Sequence, residues 1–332
     1  MVTEARPLAD LRNRRVVAVV ALAAVVAAAA VVGATLLQTR GEHTTVPGAV
    51  TKPRAGNPPL FFDFGVRDDK EARDLLRAAQ LLDAKHVAAA RAIFERYHSL
   101  QAQIGLAFAS WPGHGLGTLK TLAAHNPDSP VAEYHLGWAY YWSGLRAKAA
   151  AAWDHVDRRF PDSPESVEAE NELYSSDQPG LPDLLLPLTL PKASTRASQF
   201  RILSAAARKP DVEAKLRFGY FLWQSWQRVS AERQFAAAAR LDPRNPYART
   251  AAAVALFTKR APVRAFAKLG PLTGVFPHAP VVRFELGLLL IATAQPAKGV
   301  HQLRLAAAED PRGPYAKTVR ALLSRLGSSG TK

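Results

Sequence analysis

The stretch SPVAEYHLGWAYYWSGLRAKAAAAWDHVDRRFPDSP, residues 129–164, reads as a helix, a turn and a second helix. It lies between two Pro-x-x-Pro pairs, Pro127/Pro130 and Pro161/Pro164, which are 34 residues apart. The same pair returns at Pro243/Pro246, Pro277/Pro280 and Pro311/Pro314, again in steps of 34. The gap from Pro161 to Pro243 is 82, two periods plus 14. A period of this size belongs to stacked helical pairs, each too small to bury its own apolar face.

Working outward, the residues between the prolines keep the same step. Gly137, Gly219 and Gly287 each lie 24 residues before the closing proline of their unit. A glycine there lets two helices approach closely, against a propensity cost of about 1 kcal/mol. Ala149, Ala231 and Gly299 supply a second small position, and Trp153, Phe235 and Leu303 a large one. Val156, Ala238 and Ala306 follow three residues on, the spacing of one helical face. The first proline of each pair stops a helix and the second suits the first turn of the next. Ser129, Ser163 and Asn245 precede that second proline and are expected N-caps.

These residues resemble the tetratricopeptide repeat (TPR) family. Leu136-Gly137, Tyr140, Ala149, Trp153 and Pro161 carry the resemblance in one unit, and Gly219, Ala231, Phe235, Ala238 and Pro243 in another. The unit from Pro246 to Pro277 keeps the period and Ala265 but has Ala253 where the family has glycine. The resemblance spans Asp69–Leu326. It implies an all-α, TPR-like α-solenoid, a right-handed superhelix of helical pairs used for protein binding, and it implies no reaction. In the family the first helix of each pair lines the concave surface. On that basis Tyr134, Trp138, Tyr141 and Trp142 form a groove in the unit starting at Pro130. Leu216, Arg217, Tyr220 and Trp223 are their counterparts in the unit starting at Val212, and Phe284, Leu288 and Ile291 in the one starting at Pro280. Aromatic rings beside arginine suit a binding hot spot, here an apolar, weakly basic groove for a peptide or partner helix. The alternative is that the rings pack helix on helix, or beneath an inserted loop. The Lys and Asn of the carboxylate-binding subclass are replaced by Tyr134, Trp138 and Tyr141, so that specificity is not expected.

Ahead of the repeats, Val16–Leu37 runs 22 residues without a charge. At about 1.5 Å per residue such a helix crosses a hydrocarbon core of about 30 Å. Arg12, Arg14 and Arg15 before it place residues 1–15 in the cytoplasm and the repeats outside. The alternative is a signal peptide cleaved near Val32 and Ala34, releasing a secreted or periplasmic protein; the length of the run favours the uncleaved anchor. A short basic start and a single Ala/Val-rich span point to a bacterial cell envelope. Residues 38–59, rich in Pro, Gly and Thr, read as a tether, and Leu60–Phe64 as an apolar segment packing on the first helices.

The solenoid is expected over residues 60–326, with a frayed tail at 327–332. Asp69–Ala84 with His86–Tyr97, then His98–Ala109 with Gly115–His125, read as degenerate pairs. Ala90 and Phe94 take the small and large positions of the first. Residues 172–194, with five prolines or glycines around Leu184–Leu186, interrupt the array as a loop whose leucines are buried. Helices near Thr195–Arg208 and at the C-terminus complete it, Val319, Leu322, Leu323 and Leu326 marking a capping helix.

The chain has no cysteine, which excludes disulfides and thiol chemistry. Its nine histidines show no metal-ligand spacing, and His135 and His155 read as solvated. Gly113-His114-Gly115-Leu116-Gly117 lacks the lysine and strand of a phosphate loop. No cofactor and no catalytic set is expected; an enzyme would have to place its site around loop 172–194. The net charge of +15 is dispersed, with Arg158-Arg159 the one adjacent arginine pair after Arg14-Arg15, so nucleic acid is not an expected partner. The partners implied are a protein or peptide in the groove, the membrane through residues 16–37 and, as an alternative, a second copy through an uncapped end.

Overall fold

A computed structural model describes residues 53–329, with side chains through residue 324. The expected cytoplasmic start, the span at 16–37 and tether residues 38–52 lie outside the described residues. Among the described residues there is no strand, and no helix is long and apolar enough to cross a membrane. The chain divides into two compact units, one ending at Leu272 and the other beginning at Thr273.

The first unit is built from helical hairpins. Helices α1 (Lys70–Asp83), α2 (Val87–Phe94), α3 (Leu100–Ala109) and α4 (Gly115–His125) precede the central pair α5 (Pro130–Trp142) and α6 (Arg146–Arg159). Helix α7 (Pro164–Leu173) packs on α6. After a helix-free segment come α8 (Arg196–Ala206), α9 (Val212–Gln224), α10 (Arg228–Leu241), α11 (Pro246–Val254) and α12 (Val263–Leu269). Helix α13 (Leu272–Val275) lies at the division. The second unit holds α14 (Pro280–Ala292), α15 (Pro296–Glu309) and α16 (Pro314–Ser329). Helix α16 continues to Ser329, so residues 327–329 are helical where a frayed tail was expected.

Caps and close contacts explain the hairpins. Ser129, Ser163 and Asn245 accept from the backbone N–H of Ala132, Ser166 and Ala248, with proline at the first helical position each time. A Cβ on Gly137 would lie 2.4 Å from Trp153 Nε1, one on Gly219 2.6 Å from Phe235, and one on Gly287 2.8 Å from Leu303. The repeated glycine is therefore the seat of the large residue on its paired helix. Gly105 does the same for Phe94, at 2.4 Å, between α2 and α3. Its place outside the 34-residue step hid it in the sequence.

The turn is the same object in four of the hairpins. Lys85, Gly144, Trp226 and Ala294 have φ of 66°, 80°, 56° and 57°. After each of them the next N–H reaches back five residues, His86 to Leu81, Leu145 to Tyr140, Gln227 to Leu222 and Gln295 to Leu290, at 2.8–3.0 Å. This is the Schellman closure of a helix C-terminus. Only one of the four positions is glycine, so the turn has no signature in the sequence.

Loop 172–194 begins inside α7, which runs to Leu173; beyond it no helix forms until α8, and Leu184 and Leu186 are buried. The α9–α10 hairpin abuts α7 through buried charge. Arg228 donates to Glu170 at 2.9 Å, with side chains 5% and 1% exposed. Asp157 lies 3.8 Å from Arg228 and 2.6 Å from Arg260. The Lys259 backbone N–H donates to Glu170 at 3.3 Å. Ser230 closes the same junction through its N–H and hydroxyl to Asp162, at 2.8 and 2.5 Å.

Candidate protein-binding face

Helix α5 carries Tyr134, Trp138, Tyr141 and Trp142 at spacings of three and four, which bring their rings together. Trp138 meets Trp142 edge-on at 5.4 Å, Tyr141 at 5.7 Å and Trp153 of α6 at 5.2 Å between centroids. Its indole N–H donates to the Tyr134 hydroxyl at 2.9 Å. Trp138, Tyr141 and Trp142 are half-buried, whereas Tyr134 is 2% exposed. Burial pushes the Tyr134 phenol well above its ordinary pKa.

The other expected groove residues separate. Trp223 is buried, its Nε1 donating to the Pro182 carbonyl of the inserted loop at 3.0 Å. Arg217 pairs with Glu213 one turn back at 2.6 Å and lines a cleft of about 400 Å³ with Leu190, Lys192 and Ile202. Tyr220 is half-buried on α9. Phe284 belongs to the second unit and is 1% exposed, packed on Tyr315 at 4.9 Å. Burial therefore takes Tyr134, Trp223 and Phe284 out of the solvent-facing set and makes them packing residues, because their rings point between helices or beneath the loop. Trp138, Tyr141 and Trp142 keep partial exposure.

The aromatic face of α5 is covered by an extended strap, residues 54–64. The Arg54 N–H donates to the Trp142 carbonyl at 2.8 Å, and its guanidinium donates to the Tyr141 hydroxyl at 2.7 Å. The guanidinium carbon lies 4.3 Å from the Tyr141 ring centre and 5.4 Å from that of Trp142. Asn57 donates to the Phe108 carbonyl at 2.9 Å. Phe61 stacks on Trp226 at 6.1 Å and meets Tyr134 edge-on at 6.0 Å. Pro58, Leu60 and Phe62 are buried. Residues 54–59 are thus docked rather than free tether, and Leu60–Phe64 reaches α5 and Trp226, beyond the first helices.

The pin of the strap is His135, a buried residue and not the solvated one its helix position suggested. It is 0% exposed. Its Nδ1 donates to the Val131 carbonyl at 2.7 Å, and its Nε2 accepts from the Phe61 N–H at 3.2 Å. With both nitrogens used by a neutral ring, burial brings its pKa down to about 4.

Beside these rings lies a row of carboxylates, not the basic lining expected. Glu165, Glu168 and Glu172 occupy one face of α7, spaced three and four apart, and each raises the Tyr134 pKa. Burial pushes Glu165 and Glu172 up to about 7, and the neighbouring Asp63 and Glu168 push Glu165 further in the same direction. Lys259 reaches the edge of this row through Asn171. Sequence reasoning missed the strap's Arg54, the pin and the acidic row. Only Phe61-Phe62 after Pro58-Pro59 hinted at a docked segment.

No protein-family model matches this sequence, and no curated protein matches it. Solved structures similar to it include the TPR2AB domain of yeast Sti1 in a pHSP90 complex, at 12% identity over 79% of this chain and 98% of that one, with a TM-score of 0.31. A tetratricopeptide repeat protein from Parabacteroides merdae matches at 13% identity over 77% and 98%, TM-score 0.29. Yeast Tom70 matches at 12% over 85% and 67%, TM-score 0.32. Likenesses this distant decide nothing about the site. The repeat reading stands on the glycine seats and Schellman turns of the chain itself. Among the described residues no group of three or more metal-ligating side chains comes together.

Proposed function

We propose that this protein is a non-catalytic scaffold whose α5 face receives a protein or peptide partner, held at the bacterial membrane by residues 16–37 with the repeats outside the cytoplasm. The observation that carries the binding half is the cluster of half-exposed Trp138, Tyr141 and Trp142, already contacted by an extended chain segment. Such rings, rigid and amphipathic, supply binding energy at low entropic cost. The anchor half rests on the uncharged run of 22 residues and its basic flank. Crosslinking pull-down from cells expressing the full chain tests the first half. Trp138→Ala and Tyr141→Ala should each lose the partner recovered by the wild type, and equal recovery ends the reading. Fractionation tests the second: the chain should sediment with membranes at its uncleaved mass, whereas a soluble, shortened chain establishes release after cleavage.

A further inference from the structure

The chain reaches the repeats at one particular place. Pro53 to Gly56 are exposed. The Arg54 N–H donates to the Trp142 carbonyl at the end of α5, and Asn57 to the Phe108 carbonyl in the last turn of α3. Helices α1 to α6 alternate in direction and pack in chain order, so the hairpin turns at 84–86, 110–114 and 143–145 come out along one edge. The links at 95–99, 126–129 and 160–163 come out along the other, about 20 Å away across helices of 13 and 14 residues. The two edges differ in charge. Each link holds an acid, Glu95, Asp128 or Asp162, whereas no turn holds one and Asp83 ends α1 beside the first turn. Arg54, Lys85, Arg91, Arg146 and Lys148 are exposed at or beside the turns, and none of them has a carboxylate partner among the described residues. Arg91 reaches the second turn through the Ala109 carbonyl and the Ser110 hydroxyl, at 3.2 and 3.0 Å. Rings stand among these cations. Arg54 and Arg146 lie 4.3 and 5.9 Å from the Tyr141 ring centre, and Lys148 5.8 Å from that of Tyr140. Trp111 and Trp142 are half-buried at the second and third turns.

We propose that this turn edge seats on the headgroup surface of the membrane that holds the anchor, and that the lipid it takes is anionic. The proposal rests on the anchor half of the reading above and adds the surface that meets the lipid. Trp138, one turn back along α5, stays with the partner protein. Residues 38–52 join the span to the strap, and a flexible chain of that length averages about 20 Å end to end. The edge it enters is therefore held near the bilayer. Half-buried Trp and Tyr suit the boundary between acyl chains and water, and unpaired Lys and Arg suit lipid phosphates. The same surface repels the acids of the link edge, so the charge contrast sets which edge faces down. A second copy meeting this one turn edge to turn edge would set like charge against like charge.

The chain has no cysteine, so a single introduced one reports its position without background. Ala147→Cys in the first turn of α6 marks the turn edge and Glu95→Cys the link edge; both positions are exposed. Each full-chain variant, labelled with a fluorescent donor, is reconstituted into vesicles of phosphatidylcholine, alone or mixed with phosphatidylglycerol, that carry a headgroup-attached acceptor. On the anionic vesicles, energy transfer from position 147 should exceed that from position 95 by about threefold or more. The ratio should fall toward one on the neutral vesicles. It should also fall when Lys85→Glu, Arg146→Glu and Lys148→Glu are added, with circular dichroism confirming helix content in every variant. Carbonate extraction separates this inference from the reading beneath it. If the vesicles retain the chain, equal transfer from the two positions, or a ratio indifferent to lipid charge or to the three glutamates, overturns this inference alone. A chain stripped from the vesicles overturns the anchor reading, and this inference with it. Rapid disulfide-linked dimerisation of unlabelled Ala147→Cys, and not of Glu95→Cys, overturns it in favour of a second copy.

Discussion

At the residue scale, the three seats Gly137, Gly219 and Gly287 do their work by what they lack. A methyl group on Gly137 meets Trp153 at 2.4 Å, against a ring that is itself 4% exposed and cannot swing aside. Gly137→Ala should lower stability by about 1–3 kcal/mol, the usual penalty of overpacking. Gly117→Ala, in α4 where nothing lies within 4 Å, should raise it by about 0.5–1 kcal/mol by improving helix propensity. Urea unfolding of the two variants checks both signs. His135 gives a second residue-level expectation. Its folded pKa, about 4, lies below the ordinary 6.5. Its contribution is thus present above pH 6.5 and is lost as pH falls through that value toward 4. Imidazole ¹H–¹⁵N spectra should show a neutral ring down to about pH 4, with strap amides exchanging faster once it protonates. A ring titrating near 6.5 would mean the Phe61 hydrogen bond does not form.

At the element scale, the junction of α7 with α9–α10 depends on charges that would be expensive alone. Burying Arg228 and Glu170 is tolerated because each satisfies the other and Asp157 joins them. Arg228→Met leaves the buried Glu170 carboxylate without its cation, while Asp157 keeps Arg260, and should cost about 3–5 kcal/mol; adding Glu170→Leu should return part of that loss. A loss below about 1 kcal/mol would show that water reaches the junction. The inserted loop depends on less. Trp223→Phe removes the indole bond to Pro182 and should cost about 0.5–1.5 kcal/mol, with faster amide exchange across residues 174–195 and unchanged exchange in α10.

At the scale of the whole molecule, all six tryptophans lie at or before Trp226, so tryptophan fluorescence follows the first unit alone. Glu165 and Glu172 have pKa values raised from 4.5 to about 7. The folded state therefore binds their protons more tightly, a contribution full below pH 4.5 and lost as pH rises through 7. The fluorescence-detected unfolding temperature should rise from pH 8 to pH 6, and the rise should flatten below 6.5 as His135 begins to act against it. Glu165→Gln should remove much of the slope. A protein most stable at pH 8 would contradict the burial of these carboxyls.

How much of this was legible in the chain follows from what each feature needs. Pairing of helices, their caps and the glycine seats are set by neighbours at most one repeat away, so a period of 34 and the prolines at its ends reveal them. The covered leucines of the loop were legible for a related reason: dense proline forbids a helix, and three leucines will not stay in water. The Schellman turns at Lys85, Trp226 and Ala294 left no trace, because tertiary packing holds non-glycine residues at positive φ there. Hidden too were the strap on α5 and the neutral His135 beneath Phe61. Those join residues from about 70 to over 160 positions apart, as Phe61 to His135 and to Trp226. No local propensity encodes such meetings; they exist only once the hairpins have stacked and brought separate faces within hydrogen-bonding and stacking distance.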